Sequence, residues 1–191
     1  RRLKIHDIKV VDLKWKRNTL NTIYHSYHRQ PFFKFYYPSI EHIILNSSDS
    51  LLNINMELLK YMLRLLEIDI PIYYASDYDR KPSAAENLIY LCQCVNADEY
   101  LFGEGGGLAY HGLSMFKANG IRTFKQDFKT QFSSKAKEYY PSCYNLSIID
   151  YLFNTPLNQV KDLVNTTGGV IPASGDGRSE YIVDAGGFLP V

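Results

Sequence analysis

The 191-residue sequence has no apolar run near the ~18–20 residues that a membrane-spanning helix needs, so no spanning helix is expected. Its cysteines number three, Cys92, Cys94 and Cys143. An odd count at this density excludes a disulfide framework and fits buried, reduced thiols in a cytoplasmic protein. Cys92 and Cys94 form C-x-C; two positions apart on a helix they face nearly opposite sides and cannot share a metal. His25 and His28 are three apart with no third ligand in sight, so neither a metal nor a cofactor is expected. Net charge is +1, which gives no global pull toward nucleic acid or anionic lipid. No internal repeat is present. No G-x-S-x-G elbow surrounds Ser114 and no Cys-His signature surrounds Cys143, so nothing demands nucleophilic catalysis. The chain opens on Arg1-Arg2 rather than Met, and a processed chain or fragment is expected.

What is present suits a folded domain: 46% hydrophobic, 14% aromatic and 21% charged residues exclude a disordered chain and are ample for a core. Charge is unevenly spread. Residues 1–35 carry nine Lys/Arg against Asp7 and Asp12, a local +7, and the remainder carries −6. A solvated helix face explains this run; a surface facing an anion is the sharper alternative.

Residues 3–13 are rich in β-branched side chains and predict a strand. Apolar spacing predicts helices over 15–29, from Pro31 with a break near Pro38, and over 51–66 behind an Asp49-Ser50 cap. The Leu-rich face of that third helix is expected to be core. From Ile70 the rhythm alternates: strand 70–75, helix 83–95, strand 99–102, a glycine turn, helix 108–119 stopped by Gly120, and strand 121–128. Residues 129–145 read as a loop, and 147–153 and 157–164 as short helices. The predicted fold is α/β: a mostly parallel, Rossmann-like sheet flanked by helices, with an N-terminal helical region. One domain is expected over 1–164, followed by a Gly-rich, weakly packed tail over 165–191, which holds six of the twelve glycines.

The strongest local feature is DEYLFGEGGGLAYHG, Asp98–Gly112. A strand runs into Gly103-Glu104-Gly105-Gly106-Gly107 and then a helix. Free amides at the C-terminal edge of a parallel sheet suit an anion such as phosphate or carboxylate. The turn is not a dinucleotide fingerprint, because Leu108 stands where the third glycine belongs, and the Lys-Ser/Thr of a P-loop is missing. A tight turn that merely needs glycine is the plain alternative. Gln126 and Asp127 end a strand on the same edge, where they can contact a polar substrate or serve as base. His111 and Tyr110 follow the glycine turn, and Ser76 closes the strand begun at Ile70. Ser147–Asp150 fits the S-x-x-D helix-capping pattern.

The order of segments resembles a known family. W-K-R at Trp15, I-Y-x-x-Y at Ile23, P-F-F-x-x-Y at Pro31 and L-L-E-I at Leu65 come first. L-I-x-L-C at Leu88, A-D-E-Y-L-F-G-E-G-G-G at Ala97 with Tyr110, F-x-Q-D-F at Phe124 and N-L-S-I-I-D-Y-L-F-N at Asn145 follow. Together, over about residues 13–154, they resemble the WbqC-like family of bacterial surface-polysaccharide (O-antigen) gene clusters. That family opens with a strand and a His-Gln-Pro loop, so the resemblance implies an N-terminally truncated chain. It also implies a cytoplasmic transferase-type role in polysaccharide biosynthesis, modifying or transferring a group to a nucleotide-linked amino sugar.

On this reading the partner is a small anionic substrate, a nucleotide sugar. Gly103, Gly105, Gly106, Gly107, Tyr110 and Ser76 bind it, and Asp127, Gln126 and His111 carry the chemistry. The alternative is a non-catalytic binding or scaffold domain using its basic, aromatic N-terminal surface, with Trp15, Tyr24, Tyr27, Phe32 and Phe33 as stacking platforms. Net charge does not favour nucleic acid as partner, and the aromatics recur at helical spacing as core residues do.

Overall fold

A computed structural model describes residues 5–10, 13–103, 112–128, 147–166 and 168–172. The chain divides into two compact units, Arg1–Ile70 with Phe132–Leu163, and Pro71–Gln131 with Val164–Val191. The first is helical, as the N-terminal reading predicted. Its helices are α1 (Leu13–Tyr27), α2 (Phe33–Asn46) and α3 (Leu51–Leu65), with α6 (Ile148–Asn154) packed on α2. Helix α7 (Leu157–Thr166) follows.

Leu20, Phe33, Ile40, Ile44 and Phe153 form the buried core of this unit. Ile23, Tyr27, Leu58, Tyr61 and Met62 pack around them. The third helix begins behind Ser50, whose hydroxyl accepts from the Asn53 amide at 3.4 Å. Its Leu-rich face is less buried than expected: Ile54 is its one fully buried residue, and Leu59 is exposed. Pro38 does not end α2. The bond it removes is the one to the Lys34 carbonyl, beside an exposed side chain in the first turn, and the buried Phe33, Ile40 and Ile44 hold the helix together around it.

The expected strand over 3–13 is absent among the described residues. Ile5–Asp7 is a 3₁₀ turn, and one antiparallel bridge, Lys9 to Ser50, docks the segment on the start of α3. No neighbouring strand is available there, so β-branched content alone does not build a ladder.

Lys16, one of the nine basic residues of the N-terminal run, is 2% exposed. Its ammonium donates to the carbonyls of Ser47 at 2.9 Å and Leu45 at 3.3 Å and lies 4.0 Å from the Asp49 carboxylate. These carbonyls terminate α2, where the helix dipole favours a cation. A single buried side chain thereby ties α1 to the α2–α3 turn. The charge run is therefore not entirely a solvated face.

The second unit holds α4 (Ala84–Cys94), β1 (Glu99–Phe102), α5 (Leu113–Ala118), β2 (Arg122–Phe128) and β3 (Gly168–Pro172). The sheet order is β1-β2-β3, with β1–β2 parallel and β2–β3 antiparallel. One parallel pair among the described residues is less than the mostly parallel, Rossmann-like sheet predicted. Among the described residues the expected strand 70–75 carries no ladder, and the chain turns into a 3₁₀ segment at Ala75–Asp77. Pro71 lacks a donor for a ladder there. Strand β3 lies in the segment expected to be a weakly packed tail, and it places Pro172 on an edge strand, where proline is tolerated.

Helix ends in both units follow local chemistry. Ser83 and Glu86 form a reciprocal capping box at the start of α4. Gly112 stands outside α5 as its N-cap, so the helix expected over 108–119 is not continuous through it. Helices α3, α4 and α5 all end in paired 6→1 and 5→2 bonds, with Glu67, Asn96 and Gly120 at positive φ. At α5 these run from Ile121 to Phe116 and from Gly120 to Lys117.

Lys16→Met leaves the Leu45 and Ser47 carbonyls without their donor and is expected to destabilise the protein by about 1–3 kcal/mol, read from urea unfolding. The exposed neighbour change Arg17→Met is expected to stay within about 0.5 kcal/mol.

The Tyr37 phenol is pushed up to about 12 by burial and by its donation to Glu41 at 3.1 Å. Its folded pKa lies above the unfolded value, so its contribution is complete below pH 10 and fades as pH rises to about 12. Alkaline unfolding of Tyr37→Phe is therefore expected to depend less steeply on pH across that window than unfolding of the parent.

Candidate functional site

The site begins with β1 and β2. Their register pairs Glu99 with Arg122 and Phe102 with Lys125. Parallel pairing puts the C-terminal ends of both strands at one edge. Phe102 is the last residue of β1, and continuing the register one step sets Gly103 beside Gln126. Two of the predicted site residues thus share the edge at which open α/β sheets bind ligands.

One face of this pair is covered. Ile89 and Cys92 from α4 join Phe116 from α5 and Ile121 in a buried cluster, with Tyr100 of β1 packed on it. The Tyr100 ring stacks on Phe116 at 5.1 Å, and α5 packs on β2. Alternation puts Tyr100 and Phe102 of β1, with their register partners Thr123 and Lys125 of β2, on this face. Burial raises the Tyr100 phenol and the Cys92 thiol, so both stay protonated at neutral pH. At the opposite end of the strands Arg122 pairs with Glu99 and, at 3.7 Å, with Asp98.

Gly103 is exposed, and among the described residues a Cβ built there meets nothing within 4 Å. Gln126 is half-buried in β2 opposite Val170. Asp127 lies in β2 opposite Gly169, with its side chain outside the described residues. Gly105, Gly106, Gly107, Tyr110 and His111 also lie outside them. Ser76 sits in the exposed 3₁₀ turn, and its hydroxyl donates to Asp77 at 3.5 Å.

The remaining candidates separate clearly. Cys92 is buried, but Cys94 is exposed, which corrects the expectation of buried thiols for that residue. Cys143 lies outside the described residues. His28 stacks on Tyr24 at 5.0 Å between ring centroids, and His25 meets the same ring edge-on at 5.7 Å. Among the described residues no group of three or more His, Cys, Asp or Glu is placed to hold a metal ion. None of their helices is long and apolar enough to cross a membrane. Asp150 is fully buried, and the Ser147 side chain makes no capping hydrogen bond, so S-x-x-D does not act there as a capping pair.

Lys125, half-buried at the register position of Phe102, stands at the same edge as Gly103.

The chain holds a helical unit and a second unit whose described strands form a three-stranded sheet with one parallel pair. A model of the WbqC-like protein family matches residues 1–162, most of the chain. The chain belongs to the WbqC-like family. No curated protein and no solved structure matches it.

Phe116→Ala empties the centre of the cluster under β1 and is expected to destabilise the protein by about 3–5 kcal/mol, measured by chemical unfolding. A change below 1 kcal/mol would contradict the placement of this ring.

Proposed function

We propose that the C-terminal edge of β1 and β2 binds the anionic part of a nucleotide-linked amino sugar, and that the protein modifies this sugar or transfers a group to it. The setting is cytoplasmic polysaccharide biosynthesis of the O-antigen type. The observation that carries the reading is the parallel register, which sets Gly103 and Gln126 side by side at the C-terminal strand edge. Family membership supports the pathway.

In this reading the amides of Gly103, Gly105, Gly106 and Gly107 hold the negative group, and the Gln126 side chain bonds a sugar hydroxyl or amide. Asp127 is the general base for the attacking amine or hydroxyl, with His111 as its partner in proton transfer. Tyr110 and Ser76 line the rim. A Rossmann-like completion of the sheet around this edge is part of the proposal.

One observation favours a second reading, a non-catalytic binding surface on the helical unit. Trp15 is 42% exposed and Phe35 is 73% exposed, whereas Phe33 and Tyr27 are core residues. Stacking platforms of this kind suit single-stranded nucleic acid. Lys16, being buried, is not available to such a surface.

Calorimetric titration with UDP-N-acetylglucosamine tests the first reading. Binding is expected, and Gly106→Val is expected to weaken it about tenfold or more, a loss of at least ~1.4 kcal/mol. No heat with the nucleotide sugar, together with salt-dependent binding of an oligothymidylate, would favour the second reading instead.

A further inference from the structure

Residues 13–40 cover α1, the corner after it and the first half of α2, and contain no Asp or Glu. At the corner the chain reads His28-Arg29-Gln30-Pro31-Phe32-Phe33-Lys34-Phe35. Backbone bonds hold it. The amides of His28, Gln30 and Phe33 donate to the carbonyls of Tyr24, Tyr27 and Gln30, and the Phe32 amide reaches the Phe153 carbonyl of α6 at 3.1 Å.

The rings of this corner divide between two sides. Phe33 is 5% exposed and stacks on Tyr37 in the core. Phe35, two positions on, is turned about 200° around the helix and is 73% exposed. No other large apolar side chain among the described residues is as exposed. Packing of the fold gains nothing from a ring in that place. Single exposed apolar residues are common, but Phe35 is not single. Phe32, half-buried, sets its ring 6.4 Å away, and Pro31 and Pro38 are exposed before and after the pair.

Arg29 and Lys34 are exposed among these residues, and neither has an ion-pair partner among the described residues. The first acid further along α2, Glu41, accepts from the Tyr37 phenol at 3.1 Å. Helix α6 packs on α2, and its one acid, Asp150, is fully buried. The corner thus presents apolar rings and cations without a facing carboxylate from either helix.

That composition suits an interfacial anchor, in which rings enter the headgroup boundary and basic side chains meet lipid phosphates. A nucleic-acid strand fits less well. The two rings are tilted by 39° rather than parallel, and two cations do not make a groove that tracks a backbone.

We infer that the α1–α2 corner docks on an anionic bilayer surface, with Phe35 and Phe32 entering the headgroup region and Arg29 and Lys34 contacting lipid phosphates. The surface lies in the helical unit and is independent of the ligand read at the sheet edge. One exposed ring and two cations make a reversible, salt-sensitive attachment.

Co-sedimentation of the full chain with vesicles tests this. The vesicles are phosphatidylcholine alone, or with about one-third phosphatidylglycerol, at about 50 and about 300 mM salt. Wild-type protein is expected on the anionic vesicles at the lower salt and not on phosphatidylcholine. Phe35→Ser is expected to weaken binding about fivefold or more, whereas Phe35→Trp retains it. Arg29→Gln combined with Lys34→Gln is expected to weaken it about tenfold or more and to flatten its salt dependence. Lys60→Gln combined with Arg64→Gln removes two exposed cations of α3 instead and is expected to stay within about twofold of wild type. Urea unfolding of each variant separates loss of the contact from loss of the fold.

Equal binding of wild type to both vesicle types overturns the inference, as does its absence from both. Wild-type affinity in a folded Phe35→Ser or in the folded Arg29–Lys34 variant overturns it too. So does an equal loss in the α3 variant, which would assign the attachment to net charge. Salt-dependent binding of an oligothymidylate without vesicle binding would assign the corner to nucleic acid instead.

Discussion

The parallel pairing of β1 with β2 is the constraint on which the candidate site depends. Antiparallel strands would send Phe102 and Lys125 to ends set by a hairpin. Parallel strands require a crossover, and both chains leave the sheet at one edge. The pairing is short, from Glu99–Arg122 to Phe102–Lys125, and is braced from one side by the α4–α5 cluster under Tyr100. Strand β3 braces β2 from its other edge. The ion pairs of Arg122 with Glu99 and Asp98 join the N-terminal ends.

In the helical unit a comparable role falls to Lys16. A buried ammonium is costly unless its protons are satisfied. Here the final carbonyls of α2 and the nearby Asp49 carboxylate supply that environment. The aromatic core beside it, with Phe33 stacked on Tyr37 at 4.5 Å and set 5.1 Å from Phe153, draws on α1, α2 and α6. The Phe153 carbonyl also accepts from the Phe32 amide at 3.1 Å, so α6 is tied to the start of α2 by backbone as well as by ring packing.

Elements with their own local signals were legible in the sequence. The start of α3 follows from Ser50, that of α4 from the Ser83–Glu86 box, and the end of α5 from Gly120. Strand β1 has the predicted limits, and β2 differs by one residue. What failed depended on partners distant in sequence. The β-branched run at 3–13 and the Ile70–Ala75 segment look like strands, yet neither has a ladder among the described residues. Lys16 looks like its exposed neighbours Lys14 and Arg17, because a sequence does not show that the end of α2 will close over it. Glu67 and Asn96 hold helix-ending positive φ without the glycine that would announce it. Of the site, the edge shared by Gly103 and Gln126 was legible, since strand order and the glycine turn suffice to place it.

The central claim is that the amides at this edge, rather than the aromatic surface of the helical unit, receive the ligand. Backbone amide chemical shifts of the labelled protein, followed during titration with UDP-N-acetylglucosamine, test it most directly. The account predicts saturable shifts at Gly103, Lys125 and Gln126, with α1 and α3 unmoved. Shifts centred on Trp15, Tyr24 and Phe35, with the sheet edge silent, would contradict it.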